Sequence, residues 1–289
     1  MNKLTEKSSA KIQVLRGLAI IAVVLIHNTP QGLAQVWGRP LLNFSVGLFL
    51  FISGMLSSSD RWNPKKRIIK IIIPYFIWTL IYVVISHYDN ITSIPLEFLK
   101  GLIFANSAAV MYYVFVYCEL TMLIPLIDRL SRSQYKWLGL VISPLEMVIM
   151  RLIPTILGIG VNKHIALIMH ISCVGWFTYF YLGYLLGNNL LRLEISSGKL
   201  AILWIGSLAL QVFEGYFFWK MGDGNCGTQL KVSALITGVL FAMMAYRYIF
   251  SDKLPTVKFL LLLGDKSFGI FFSHLAVMSV LRKIPYYDK

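Results

Sequence analysis

The sequence predicts an all-α, polytopic membrane protein, a bundle of about nine transmembrane helices built as one domain over residues 1–289. Three observations carry this reading. Hydrophobic residues make up 57% of the chain and charged residues only 14%, whereas a soluble domain carries about 25% charged residues. Mean hydropathy is +0.69. Apolar runs close to the length of a bilayer-spanning helix recur from one end of the chain to the other. This composition excludes a disordered chain, a secreted disulfide scaffold and an ordinary cytosolic enzyme.

The expected spans lie near 14–30, 41–58, 68–87, 110–127, 137–153, 165–187, 200–219, 232–250 and 267–284. The first follows three lysines, as a signal peptide would. It keeps Arg16 and His27 and is followed by no small-x-small cleavage site, so it reads as a retained span. Segment 92–106 is too short and mixed to cross and reads as interfacial or re-entrant on the outer side. Segment 254–263 is also short. Pro255 suits the first turn of a surface helix, and Gly264 is expected to stop it. Trp37, Trp78 and Trp219, near span ends, read as interfacial anchors.

The net charge of +14 would point to nucleic acid in a soluble protein. Here the basic residues sit in short loops between apolar runs, where anionic headgroups hold them, and no basic domain exists outside the membrane. With the N-terminus in the cytoplasm, 18 of the 27 Lys and Arg residues fall on inner segments. The densest cluster, Arg61, Lys65, Lys66, Arg67 and Lys70, is then cytoplasmic, and an odd number of spans leaves Lys289 outside. Of three cysteines, Cys118 and Cys173 lie in apolar runs. Cys226 lies in an outer loop, where a thiol reagent should reach it. His164 and His170 lack a zinc spacing, and GDGNCG at 222–227 has too few carboxylates for calcium, so no metal is expected. There is no Gly-rich phosphate loop and no nucleophile elbow.

Ionisable residues inside spans carry the chemistry, because each costs several kcal/mol at mid-membrane and needs a compensating reason. Arg16 and His27 are 11 residues apart. At about 100° per residue they fall within about 20° of one face, separated by about 16 Å along the axis. Taken alone, Arg16 would be a snorkelling anchor and His27 an interfacial hydrogen-bonding group. Their shared face argues for a joint role. Glu119 interrupts the fourth span and needs a partner inside the bundle, either to orient a catalytic base or acceptor or as a structural hydrogen-bonding group. Ser53-Gly54 suits close helix approach, and His274 would line a cavity or bridge two helices. Glu146, His170 and Glu214 also interrupt apolar runs, with no spacing that assigns them.

These residues carry a resemblance. LRGLAIIAVVLIH, with Arg16 and His27, resembles the first-helix signature of the acyltransferase family 3 membrane proteins. FISG at 51–54 is similar to the family's second-helix Phe-Phe-x-x-Ser-Gly element, and RIIKIIIPYFIW to its basic pair followed by Pro-Tyr. YYVFVYCELTMLIPLI resembles its aromatic fourth helix, and SFGIFFSHLAVM its Ser-Tyr-Gly-Ile-Tyr-x-x-His element. The elements follow family order along nearly the whole chain. The resemblance implies an integral cell-membrane enzyme that moves an acyl group, often acetyl, from cytoplasmic acyl-CoA to a hydroxyl of a cell-surface glycan or its lipid-linked precursor. It makes Arg16 and His27 the essential pair and places Arg67 and Lys70, with Lys66 beside them, at the donor. Ser53, Glu119 and His274 are supporting positions. The chain departs from the family at Lys70, where arginine is usual and the bidentate fork is lost, and at Phe268, which lacks the usual tyrosine hydroxyl. Family members usually continue into a tenth helix, whereas this chain is expected to stop one helix short, at Lys289.

The chemistry agrees. The inner basic cluster suits CoA phosphates, although the positive-inside rule accounts for part of it. A histidine can take the proton of a sugar hydroxyl in the transition state, or accept the acyl group itself. The competing expectations are a transporter or flippase that exports a polysaccharide or its precursor, and an inactive short family member. A transporter would more often show internal repeats or paired broken helices, and no convincing repeat is present.

Overall fold

The computed structural model describes residues 5–159, 163–251 and 255–282, and among these every regular element is helical. The elements are α1 (Glu6–Asn28), α2 (Leu33–Gly38), α3 (Phe44–Met55), α4 (Pro64–Ser86), α5 (Ile94–Phe104), α6 (Tyr112–Met122), α7 (Ile124–Arg132), α8 (Leu138–Met147), α9 (Ile153–Ile156), α10 (Lys163–Ile171), α11 (Phe177–Gly187), α12 (Ser197–Lys220), α13 (Val232–Ile249) and α14 (Lys258–Leu281). A π-helical turn at Val148–Leu152 joins α8 to α9. Six of the described helices are long and apolar enough to cross a membrane: α1, α4, α8 with α9, α12, α13 and α14. Ile69, Ile73, Phe76 and Ile77 of α4 stay exposed on the outer surface, as a lipid-facing side requires.

The other three expected spans are interrupted. In 41–58 only the 12-residue α3 is α-helical. The 110–127 run breaks at Leu123, ahead of Pro125 in the first turn of α7, because proline lacks the donor that would continue the helix. In 165–187 the chain passes through a 3-10 turn at Val174–Trp176 between α10 and α11. α1 also starts earlier than expected. Thr5 accepts a hydrogen bond from the Ser8 amide (3.1 Å) and Glu6 occupies the first turn, both favourable at a helix start. The α5 segment, 11 residues long, is too short to span.

Gly264 does not stop a helix, contrary to the sequence expectation. It lies inside the continuous α14, buried against the backbone of α1. A Cβ there would overlap the Gln13 carbonyl, and a Cβ at Gly17 would overlap the Leu260 carbonyl. The absence of both lets the two helices touch backbone to backbone. α3 and α11 make the same kind of contact: Cβ atoms at Gly54, Gly183 and Gly187 would overlap carbonyls of Phe180, Phe51 and Met55. α1 and α14 run in the same direction, since Gly17 meets Leu260 and Gly264 while Asn28 lies at Met278 (3.8 Å).

Buried polar bonds tie the loops at the His27 end. Asn43 donates to Gln211 (2.5 Å) and to the Gly227 carbonyl (3.2 Å), and the Gly227 amide donates to Gln35 (3.3 Å). Lys231, fully buried, donates to the carbonyls of Gln211 (3.0 Å) and Cys226 (3.2 Å). Glu214 accepts from the Ser233 amide (2.8 Å), which caps α13. Cys226 is consequently not accessible, against the sequence expectation. It packs with Val36 and Phe218, fully buried.

Replacing Gly264 by Val is expected to lower stability by about 1–3 kcal/mol or more, since the helices must separate. Gly269→Ala, on the same helix but facing open space, should be neutral or slightly stabilising. Thermal denaturation of the two variants in detergent checks this contrast.

Candidate active site

α1 presents Arg16 and His27 toward α14. Arg16, next to Gly17, opens into a cavity of about 580 Å³ lined also by Ser53, Arg67, Lys70, Tyr113, Ser267 and Phe271. Four of the residues singled out in the sequence therefore converge from α1, α3 and α4. Arg16 approaches Gln13 (3.4 Å), and Arg67 donates to the Ser57 hydroxyl (2.7 Å), which donates to the Ser53 carbonyl (2.7 Å). Gly54 serves the helix contact while its neighbour Ser53 faces the cavity. Phe268, the position without the expected hydroxyl, is part of the wall.

His27 lies on the far side of Phe271, in a second cavity of about 300 Å³ with Arg39, Tyr112, Trp176 and Gln229. Phe271 lines both cavities. A third, of about 560 Å³, shares His27, Arg39 and Asn225 with the second. The His27 and His274 rings are 5.3 Å apart between centroids. His274 Nδ1 lies 3.0 Å from the Ile270 carbonyl and 2.9 Å from the Phe271 carbonyl. Both are acceptors, so Nδ1 carries the proton and Nε2 keeps a lone pair. That Nε2 is buried and has no hydrogen-bond partner among the described residues.

The turn of α14 that carries His274 is held from α4. The Tyr82 hydroxyl donates to the Phe272 carbonyl (2.6 Å) and accepts from the Ala276 amide (3.2 Å). These two groups lie four residues apart on the continuous α14, so the hydroxyl reaches both ends of one helical rung. The neighbouring Pro-Tyr element works similarly: Tyr75 donates to the carbonyls of Gly101 (2.8 Å) and Leu102 (2.9 Å), fixing α5 on α4.

Two expected site residues stand apart. Lys66 is exposed and lines none of these cavities. Glu119 accepts from the Cys173 amide (2.6 Å) and caps the turn between α10 and α11. Tyr113, Tyr117, Ser267, Trp176 and Arg39 do not stand out as site residues in the sequence. Tyr113, Tyr117 and Ser267 lie in the motifs that resemble the family's aromatic fourth helix and its Ser-Tyr-Gly-Ile element, Arg39 is a lone cation in an outer loop, and Trp176 lies in an apolar run. The His164 side chain lies outside the described residues, and His170 lines the second cavity with its ring 4.2 Å from Tyr112.

Outside the spans, burial lowers the Arg39 guanidinium from its ordinary value, which still leaves it charged. Burial also brings the Lys231 ammonium down to about 8, opposed by the Glu214 carboxylate. Burial raises the Cys226 thiol. Among the described residues no three His, Cys, Asp or Glu side chains gather as a metal site would need.

No curated protein and no solved structure matches the chain. The family model described as an acyltransferase domain matches residues 9–285. That range takes in α1 from its second turn, all of α14, and every cavity residue named above, so the chain belongs to acyltransferase family 3.

Proposed function

We propose that the protein transfers an acyl group, acetyl in the simplest case, from cytoplasmic acyl-CoA to a hydroxyl of an extracytoplasmic glycan or lipid-linked sugar. The observation that carries this is the pair of cavities meeting at Phe271, one cationic with Arg16, Arg67 and Lys70, the other holding His27 and His274. The cationic cavity suits the phosphates of CoA, with charge-assisted bonds from Arg67 and Lys70. The pantetheine arm then carries the thioester past Arg16 toward Phe271. On the other side, His27 takes the proton of the sugar hydroxyl as its oxygen attacks the thioester carbonyl. The new C–O bond forms, the C–S bond breaks, and the thiolate leaves and is protonated from His27. The Nε2 of His274, unpartnered among the described residues, becomes the acceptor for an N–H of His27 when the sugar binds and so orients that ring during transfer.

The reading places the protein in the cell membrane with its N-terminus inside and nine crossings. The parallel run of α1 and α14 supports an odd number, reached when α3, α6 with α7, and α10 with α11 are added to the six long helices. The 18-to-nine division of basic residues supports the orientation. In a Cys118→Ser background, cysteine at Lys65 should resist an impermeant thiol reagent on intact cells, and cysteine at Asp89, exposed after α4, should react. Labelling at position 65 in unbroken cells would invert the topology.

Arg67→Ala is expected to raise the donor KM about tenfold or more, with the melting temperature little changed. Unchanged KM and turnover would leave Arg67 a headgroup anchor.

His27→Ala should insert normally yet lower acyl transfer by about two to four orders of magnitude. His27→Gln keeps a hydrogen bond without a transferable proton. If that variant, expressed at the wild-type level, acylates the surface glycan normally, His27 is structural.

A further inference from the structure

The charges around His27 are one-sided. Arg39 lines both cavities that His27 lines, and Arg282 lines one of them. Among the described residues no carboxylate lines either cavity. The nearby Arg151 is neutralised through Nη2 by Asp223 (2.5 Å) and also donates to the Asn225 carbonyl (3.1 Å). Arg39 has no carboxylate partner among the described residues: its one hydrogen bond there is a long contact to the Ile26 carbonyl (3.4 Å), and its Nε, like that of Arg151, is buried without a partner. Arg39 is half-buried, and a guanidinium nitrogen withdrawn from water without an acceptor is costly unless a ligand completes it.

The stem of Arg39 is positioned. Gly227 lies against it so closely that a Cβ there would fall 2.9 Å from Arg39 Cδ, and the Gly227 amide is held by Gln35. The same cavity is lined by Tyr112 and Trp176, which stack on each other (5.8 Å between centroids), and by Gln229, whose buried Oε1 also lacks a partner among the described residues and can accept from a sugar hydroxyl.

Resting on the acyl-transfer reading, we infer that the acceptor is an anionic sugar, one whose carboxylate or phosphate is bound by Arg39 so that a nearby hydroxyl meets His27. Arg39 is then the residue that sets acceptor specificity. A planar fork binds a carboxylate or phosphate in two parallel bonds and so orients the sugar as well as attracting it.

The test measures saturation-transfer NMR binding of three probes to the full chain in nanodiscs of zwitterionic lipid: methyl glucoside, methyl glucuronide and glucose 6-phosphate. Both charged probes, or one of them, should bind about tenfold or more tightly than the neutral one, with the preference weakening at high salt. The arm that binds identifies carboxylate or phosphate. Arg39→Gln should abolish the preference, and Arg39→Lys should retain part of it. Equal binding of charged and neutral probes to the wild type overturns the inference, and this arm does not depend on any variant folding. A preference that survives Arg39→Gln overturns it too. Acetyl-CoA binding is read on the same samples. Its loss with the anion preference intact removes the acyl-transfer reading, whereas its presence without the preference removes only this inference.

Discussion

The backbone-to-backbone contact of α1 with α14 is the one on which the site depends. At Gly17 and Gly264 the backbones of α1 and α14 meet with no side chain between them. Such an approach gains dispersion contacts along both helices and tolerates no added methyl group. It also sets the register. With the helices parallel and locked at this level, Arg16 falls beside Ser267, and His27, three turns on, falls beside His274. A slide of one residue along either helix would rotate these pairs apart.

Around that axis the bundle is assembled from reciprocal small-residue contacts and from tyrosine hydroxyls reaching backbone carbonyls. α3 and α11 repeat the glycine solution, leaving Ser53 free to face the cavity. Tyr75 and Tyr82 of α4 spend their hydroxyls on α5 and α14. In an apolar surrounding each such bond satisfies a carbonyl or amide that water would not reach. Tyr82 has the added effect of holding the turn of α14 where His274 sits, so a structural tyrosine supports the histidine pair.

The polar interior divides into two regions with different demands. On the Arg16 side, cations from α1 and α4 surround a roomy cleft, as a polyanionic ligand would need. On the His27 side, histidines, amides and aromatics form a tighter cavity beside the Arg39 guanidinium. Phe271 stands between them and lines both. A path between the regions would admit an uncharged acyl group far more readily than the charged carrier it comes from.

Much of the class was legible in the sequence. Composition and run lengths determined a helical membrane protein, because a continuous apolar run of bilayer length satisfies its backbone as a helix, whereas barrel strands are shorter and alternate apolar with polar residues. The Arg16–His27 spacing determined a shared face, because helix periodicity is rigid. Local patterning misjudged Gly264 as a stop and Cys226 as exposed, since a glycine at a crossing and a cysteine under a folded loop look in sequence like any others. The breaks at Leu123 and Val174–Trp176 were likewise hidden within apolar runs, where hydropathy is blind to backbone direction. Tertiary structure alone decided that Lys66 faces away while Arg67 and Lys70 face in, that Glu119 caps a turn, and that Arg39, in the connection after α1, folds back beside His27. Periodicity governs one helix at a time, whereas these placements come from which helices touch and at what register.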